Sequence, residues 1–336
     1  MKTPLNTIYL GPCLAMLESL EDNSVDLIVS SPPYNIGKEY ERKLDLDVYL
    51  GQQLLVLMEC LRVLKSAGSL FWQVGSSLMD GITIPLDVPF FQMLCDMGMR
   101  PRNRIIWVRQ HGLHSTLKFS GRHETVLWFT KTDDYFFDLD PIRVPQKYPT
   151  KRYFKGPKKG ELSCNPKGKN PGDVWAFQNV KHNHEEQTMH PCQFPEAMIE
   201  RIMLSTTKIG DVVCDPYMGV GTVAVVARDH GRAFVGAELS PEYHSVALHR
   251  LSGQPQEGGS FPNLKTLRDY VEATGLPIEN YKFSRQVGKK ASPRSSSKIY
   301  EEPHHLQILF DNLVDEDPLE ESSSDQKIPS LFDYED

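Results

Sequence analysis

No run of about eighteen consecutive apolar residues occurs in the 336-residue chain, and Met1-Lys2-Thr3-Pro4 leads into no apolar segment of a secretory signal. Membrane insertion and export are not expected, and the sequence reads as that of a cytoplasmic protein. Cysteine lacks pattern: the six thiols, at 13, 60, 95, 164, 192 and 214, include no C-x-x-C pair. Several sit in apolar runs, where a thiol acts as a small hydrophobe, so neither disulfides nor zinc is expected. His111, His114 and His123 lie near one another, but no carboxylate or cysteine recurs at ligand spacing, and no metal is expected. No lysine follows Gly221, so the glycines there do not form a P-loop. No internal repeat indicates a solenoid.

Basic residues almost vanish at the far end. Residues 301–336 hold twelve acids against Lys327 alone, so they carry −11 of the −7 total and leave +4 on residues 1–300. Within that basic body, residues 146–170 hold Lys147, Lys151, Arg152, Lys155, Lys158, Lys159, Lys167 and Lys169 against Glu161, with Tyr148, Tyr153 and Phe154 interleaved. Clustered cations among aromatic rings are the footprint of a nucleic-acid contact. The surrounding stretch, Asp133–Trp175, has no sustained period and is rich in proline, glycine, lysine and tyrosine, which predicts a long irregular insert. Its composition also permits a disordered basic loop.

The remainder is patterned. With 40% hydrophobic and 24% charged residues, one large domain with additions is expected. Strands are predicted over Asn6–Leu10, Asp26–Val29, Ser69–Gly75, Arg104–Val108 and Glu124–Phe129, and helices over Cys13–Leu20, Val48–Leu64, Phe90–Met97 and Phe194–Thr206. Ser66-Ala67-Gly68 is read as the break between the second helix and the strand after it. After Leu251 the glycine-rich stretch 252–259 reads as a linker, Asn263–Thr274 as one amphipathic helix, and most of residues 285–336 as disordered.

Two stretches carry chemistry. Val25-Asp26-Leu27-Ile28-Val29 runs into Ser30-Ser31-Pro32-Pro33-Tyr34-Asn35, the sharp exit of a buried parallel strand. Successive prolines remove backbone donors, so the carbonyls of Ser31 and Pro32 can face a ligand, with the aromatic Tyr34 beside them. The second stretch runs Val212-Val213-Cys214-Asp215-Pro216-Tyr217-Met218-Gly219-Val220-Gly221-Thr222, then a helix, then Ala233–Glu238. Gly219 and Gly221 permit close backbone approach to a ligand, and Glu238 at a strand tip can accept from two ribose hydroxyls. With Ala224 the spacing is G-x-G-x-x-A, which also admits a nicotinamide or flavin nucleotide. Asp215 before the glycines would repel a pyrophosphate and favours a nucleoside ligand without phosphates.

These motifs, with His190-Pro191-Cys192-Gln193-Phe194-Pro195-Glu196 ahead of a helix, resemble the amino-group DNA methyltransferases over residues 5–251. The catalytic motif precedes the cofactor motif with a long insert between, the order of that family's beta group. The resemblance implies an α/β fold: a circularly permuted, Rossmann-like, mostly parallel sheet with helices on both faces and an irregular basic insert. The implied division is 1–132 as the catalytic half, 133–180 as the target-recognition insert, 181–253 as the cofactor half and 254–336 as an extension. It implies methyl transfer from S-adenosylmethionine to cytosine N4 or adenine N6 of a base flipped out of duplex DNA, in company with a restriction endonuclease. Monomer and dimer stay open. Ser31, Pro32, Pro33 and Tyr34 would be catalytic. Asp215, Pro216, Gly219, Gly221, Thr222, Glu238, His190 and Gln193 would hold the cofactor, and the eight cations of the insert would hold DNA. Serine at the first motif position is commoner among the cytosine-N4 members. Two positions depart from the family: Pro12 replaces an acid near the cofactor adenine, and Phe194 a lysine near its carboxylate. An RNA or protein-amide methyltransferase and a non-catalytic DNA-binding protein are the remaining readings.

Overall fold

The computed structural model describes residues 4–38, 41–79, 81–109, 114–180, 184 and 186–253. The helix expected over Asn263–Thr274 and the acidic end of the chain lie outside them. The strands are β1 (Thr7–Leu10), β2 (Val25–Ser30), β3 (Leu64–Val74), β4 (Ser76–Met79), β5 (Ile82–Pro85), β6 (Arg100–Val108), β7 (His123–Thr130), β8 (Val174–Trp175), β9 (Val212–Asp215) and β10 (Ala233–Glu238). The helices are α1 (Cys13–Glu18), α2 (Leu46–Val63), α3 (Asp87–Asp96), α4 (Glu196–Thr206), α5 (Thr222–Asp229) and α6 (Pro241–Ser252). None of the described helices is long and apolar enough to cross a membrane.

Eight strands form one sheet in the order β1-β10-β9-β2-β3-β7-β6-β8. All run parallel except β7, which opposes both β3 and β6. The central strands read as near-continuous apolar runs because both faces are covered, as parallel sheets require. One face packs Met16 and Leu17 of α1, Leu57 of α2 and Phe90 of α3 against Ile28, Leu70 and Trp72. The other packs Met198 and Ile202 of α4, Val223 of α5 and Ala247 of α6 against Leu27, Val29 and Val213. From β9 the chain crosses through α5 to β10 on one side, and from β2 through α2 to β3 on the other. The order therefore reverses between β9 and β2, and the crevice outside the carboxyl ends at such a switch point is where open α/β sheets take ligands.

Three local expectations are corrected. Ser66-Ala67-Gly68 does not precede β3 but bulges within it: Leu64 pairs with Val25 and Ser69 with Leu27, so the residues between loop outward. Lys65 holds this bulge, its Nζ lying 2.8 Å from both oxygens of Asp26. Ser76–Met79 and Ile82–Pro85, left without structure by the sequence reading, pair as the antiparallel strands of the β4–β5 hairpin. The end of the irregular insert joins the sheet, because Val174 and Trp175 pair with Ile106 and Trp107 as β8, and Trp175 is buried against the α4 face.

Candidate active site

β2 ends in the Ser31–Asn35 turn, and Asn35 fixes its shape. Its φ of 56° is left-handed, a conformation asparagine tolerates among non-glycine residues. Its side chain donates to the Leu44 carbonyl at 2.8 Å and accepts from the Leu44 N–H at 2.7 Å. The Tyr49 hydroxyl donates to the Pro33 carbonyl at 2.7 Å. Among the described residues no donor reaches the Pro32 carbonyl. Tyr34, the aromatic residue beside those acceptors, is 9% exposed. Its ring edge packs where a Cβ on Gly75 would stand only 2.8 Å away, so glycine is what lets the chain pass beside it between β3 and β4.

The Tyr34 hydroxyl is also held. It accepts from Ser31 Oγ at 3.1 Å and donates to Gln73 Oε1 at 2.6 Å, with Glu124 Oε2 at 3.4 Å. Gln73 Nε2 donates to Glu124 Oε2 at 2.5 Å, and Arg109 pairs with Glu124 Oε1 at 2.7 Å. Burial, then the nearby Glu124 carboxylate, pushes the Tyr34 phenol well above its ordinary value, so it stays protonated.

Across the switch point, Ser30 Oγ donates to Asp215 Oδ1 at 2.5 Å, and the same oxygen accepts from the Tyr217 N–H at 3.0 Å. Asp215 is 1% exposed, and burial raises its pKa to about 7 against the lowering effect of those two donors. Its carboxylate thus braces two strands, with Pro216 buried just beyond. Gly219 and Gly221 have φ of 55° and 79°, which glycine alone adopts at little cost. The close approach at Gly221 is to protein, since a Cβ there would meet Ala247 of α6 at 2.9 Å. The next residue, Thr222, is buried and accepts from Arg250 at 3.1 Å; Arg250 also binds the Val220 carbonyl and Glu196 at 2.6 Å each.

Glu238 stands at the end of β10. Its Oε2 accepts from the Gly219 N–H at 2.8 Å and its Oε1 from the Ser240 N–H at 2.7 Å, while burial raises its pKa to about 7. His190 lies 3.7 Å from the Cβ position of Gly219 and meets the Tyr243 ring edge-on at 4.6 Å. Burial lowers its pKa to about 4, so the imidazole is neutral at pH 7. Gln193 is turned into its own loop: Oε1 accepts from Thr188 Oγ1 at 2.8 Å and Nε2 donates to the Glu186 carbonyl at 2.8 Å.

The fold therefore gathers Ser31–Tyr34, Asp215–Thr222, Glu238 and His190 at the carboxyl ends of adjacent strands. The eight cations of the insert stand elsewhere. Lys147, Lys151, Arg152, Lys155, Lys158, Lys159, Lys167 and Lys169 are all exposed. Among the described residues no hydrogen bond joins them to the strand-end cluster. Lys167 pairs with Asp140. Bridges between Arg152 and Leu162 and between Val144 and Lys169 give the insert some order, and a cleft of about 490 Å³ opens among Lys147, Tyr148, Lys151, Arg152 and Phe154. Sequence reading missed Ser30, Gln73, Arg109, Glu124 and Arg250. For Gln73 a signal existed: one amide inside the apolar run Leu70-Phe71-Trp72-Gln73-Val74 needs a buried partner.

A family model described as DNA methylase matches residues 25–249. The chain is 55% identical over 314 residues to the Type II methyltransferase M.BglII of Bacillus subtilis, covering 93% of this chain and 87% of that one. The fold is similar to that of the PvuII DNA methyltransferase (cytosine-N4-specific), with a TM-score of 0.60 at 21% identity over 76% of this chain and 89% of the other. It is also similar to a DNA modification methylase candidate of Thermus thermophilus, solved with S-adenosyl-L-methionine. There the TM-score is 0.52 at 24% identity, over 73% and 92% of the two chains. A match across both strand-end motifs and the segment between them, in a sheet whose order reverses where those motifs meet, places this chain in the DNA methylase family.

Proposed function

We propose that the protein transfers a methyl group from S-adenosylmethionine to an exocyclic amino group of a base in duplex DNA, cytosine N4, as the modification partner of a restriction endonuclease. The observation that carries this reading is the Ser30–Asp215 bond, which sets the acceptor-bearing turn beside the glycine loop and Glu238.

The residues fit that cofactor. Each oxygen of Glu238 accepts one backbone N–H and keeps capacity for a hydroxyl donor, so the pair suits two ribose hydroxyls. Asp215, Pro216, Gly219, Gly221 and Thr222 would shape the floor beneath it. The neutral His190 would border it, with Gln193 holding the loop that carries His190. When bound, S-adenosylmethionine supplies an electrophilic methyl on a cationic sulfur.

A base reaches the turn only by leaving the duplex, since its amino nitrogen is otherwise paired. That nitrogen is a poor nucleophile while its lone pair is conjugated with the ring. Ser31 Oγ and the Pro32 carbonyl would accept its two N–H bonds, drawing the nitrogen toward pyramidal geometry and localising the pair. Pro33, fixed by Tyr49, and Tyr34, fixed by Gln73, keep those acceptors in place. The exposed cations of the insert would neutralise phosphates on either side of the target.

Labelled methyl transfer should favour duplex DNA over RNA and protein acceptors. Mass spectrometry of the digested DNA should then find N4-methylcytosine. N6-methyladenine would move the choice of base, and label confined to RNA or protein would overturn the reading.

A further inference from the structure

The hydrogen-bond chain behind Tyr34 has a direction, set at its far end. Glu124 is paired with Arg109 at 2.7 Å, and a carboxylate so paired only accepts. Gln73 must therefore turn its NH₂ toward Glu124, which leaves its carbonyl facing Tyr34. An amide oxygen only accepts, so the phenolic hydrogen points at Gln73. Were it aimed instead at Glu124 Oε2, 3.4 Å away, it would still point inward. The phenol has one hydrogen, so what it offers Ser31 is a lone pair, and the Ser31 hydroxyl donates to it at 3.1 Å. The Ser31 oxygen is then left toward the strand-end crevice as an acceptor. A serine hydroxyl with nothing behind it could donate or accept equally well.

We infer that Gln73 and Glu124, braced by Arg109, are positioning residues that lock the Ser31 oxygen as an acceptor and so select a substrate nitrogen that carries hydrogens. The inference rests on the proposed methyl transfer to an exocyclic amine and deepens it. A pyridine-type ring nitrogen or a keto oxygen offers no hydrogen to this serine, whereas an NH₂ group offers one here and a second to the Pro32 carbonyl. The arrangement gives a neutral serine the fixed acceptor character that a carboxylate would have without help.

The test uses the full chain with Gln73→Leu and Gln73→Glu. The leucine variant is made in a Glu124→Leu background, because Glu124 Oε2 could otherwise take the phenolic hydrogen directly, and it removes every link behind Tyr34 while filling similar volume. Its kcat for duplex methylation should fall about fivefold, the worth of one ordinary hydrogen bond, with the affinities for cofactor and DNA unchanged. The glutamate variant can keep both links only while its carboxyl and that of Glu124 share a proton. Among the described residues, Arg109 and Tyr34 are the titratable groups that touch this pair, and Cys192 lies near the Tyr34 phenol. Its rate relative to wild type should therefore be highest at low pH and fall as the shared proton is lost.

A readout free of turnover comes from the tyrosine Raman doublet, assigned by subtracting Tyr34→Phe. Wild type should carry the signature of a strongly donating phenol, and the leucine variant should lose it. A folded leucine variant with wild-type kcat, or an unchanged doublet, would overturn the inference. So would a Gln73→Glu variant that follows the wild-type pH profile. If no variant, wild type included, methylates DNA while the doublet shifts as expected, the chain exists and the assigned reaction is what fails.

Discussion

Ser30 and Asp215 are joined by a 2.5 Å hydrogen bond, although 185 residues separate them, and the bond spans the two strands at which the sheet reverses its order. The carboxylate that the sequence singles out beside the glycines is thus also a brace. It holds the strand leading to Ser31 against the strand leading to Gly219.

That brace should be visible in stability. Asp215 and Glu238 rise from ordinary values of 3.8 and 4.5 to about 7, so between those limits the folded protein holds protons that the unfolded chain has lost. Their contribution is fully present below the unfolded values and disappears as pH climbs to about 7. Thermal melts of Asp215→Asn and Glu238→Gln should each decline less steeply than wild type over this window. A parallel decline would mean that neither carboxyl is held protonated.

Tyr34→Ala and Glu238→Ala should separate the two halves of the site. The first should lower kcat on the order of 100-fold through lost positioning, at some cost in stability for the emptied volume, and leave cofactor affinity near wild type. The second removes the acceptor for Gly219 and Ser240 and should weaken cofactor binding. Gly219→Val should do the same by straining a φ of 55°. Calorimetric titration of the cofactor decides, and loss of its binding in a folded Tyr34→Ala protein would reassign that ring.

Replacing Lys158 and Lys159 together by Ala should weaken DNA binding across all sequences. If each meets one phosphate, the slope of log affinity against log salt should become shallower by about 1.8. Affinities at several salt concentrations give the slope, and an unchanged slope would take both lysines off the interface.

Arg250→Met should unfold at lower denaturant. The arginine is 1% exposed and links the glycine loop to Glu196 of α4, so its loss leaves the Val220 carbonyl without that donor. Because Glu196 is 25% exposed, the cost should lie at the lower end of the roughly 3–5 kcal/mol for breaking a buried ion pair. A variant as stable as wild type would show the arginine to be dispensable to the loop.

Much of this was legible in residue order. Apolar runs marked β2 and β9 because parallel strands are covered on both faces, and Ser31-Pro32-Pro33-Tyr34 and the spacing of Gly219 and Gly221 marked their ends. The β4–β5 hairpin could have been read from the Asp-Gly pair in the sequence after Met79, since that dipeptide is the common signal of a hairpin connection. β8 could not, since two residues have no period and Val174 and Trp175 become a strand only by lying against β6. The partners of Tyr34 were hidden for a similar reason: Gln73 and Glu124 meet because β3 and β7 are antiparallel neighbours, a relation no local pattern encodes.

The pairing of β2 with β9 also sets a timetable for the newborn protein. Leu27 and Ile28 await Val213 and Cys214, so β2 is a sheet edge until the ribosome has made those residues. At about 5–20 residues per second, the interval from Ser30 to Asp215 lasts roughly ten to forty seconds. Throughout it an apolar strand lies open to mispairing with neighbouring chains, and the Ser31–Asn35 turn exists without the glycine loop that stands beside it in the finished fold. Overcrowded synthesis therefore endangers the chain most in that interval.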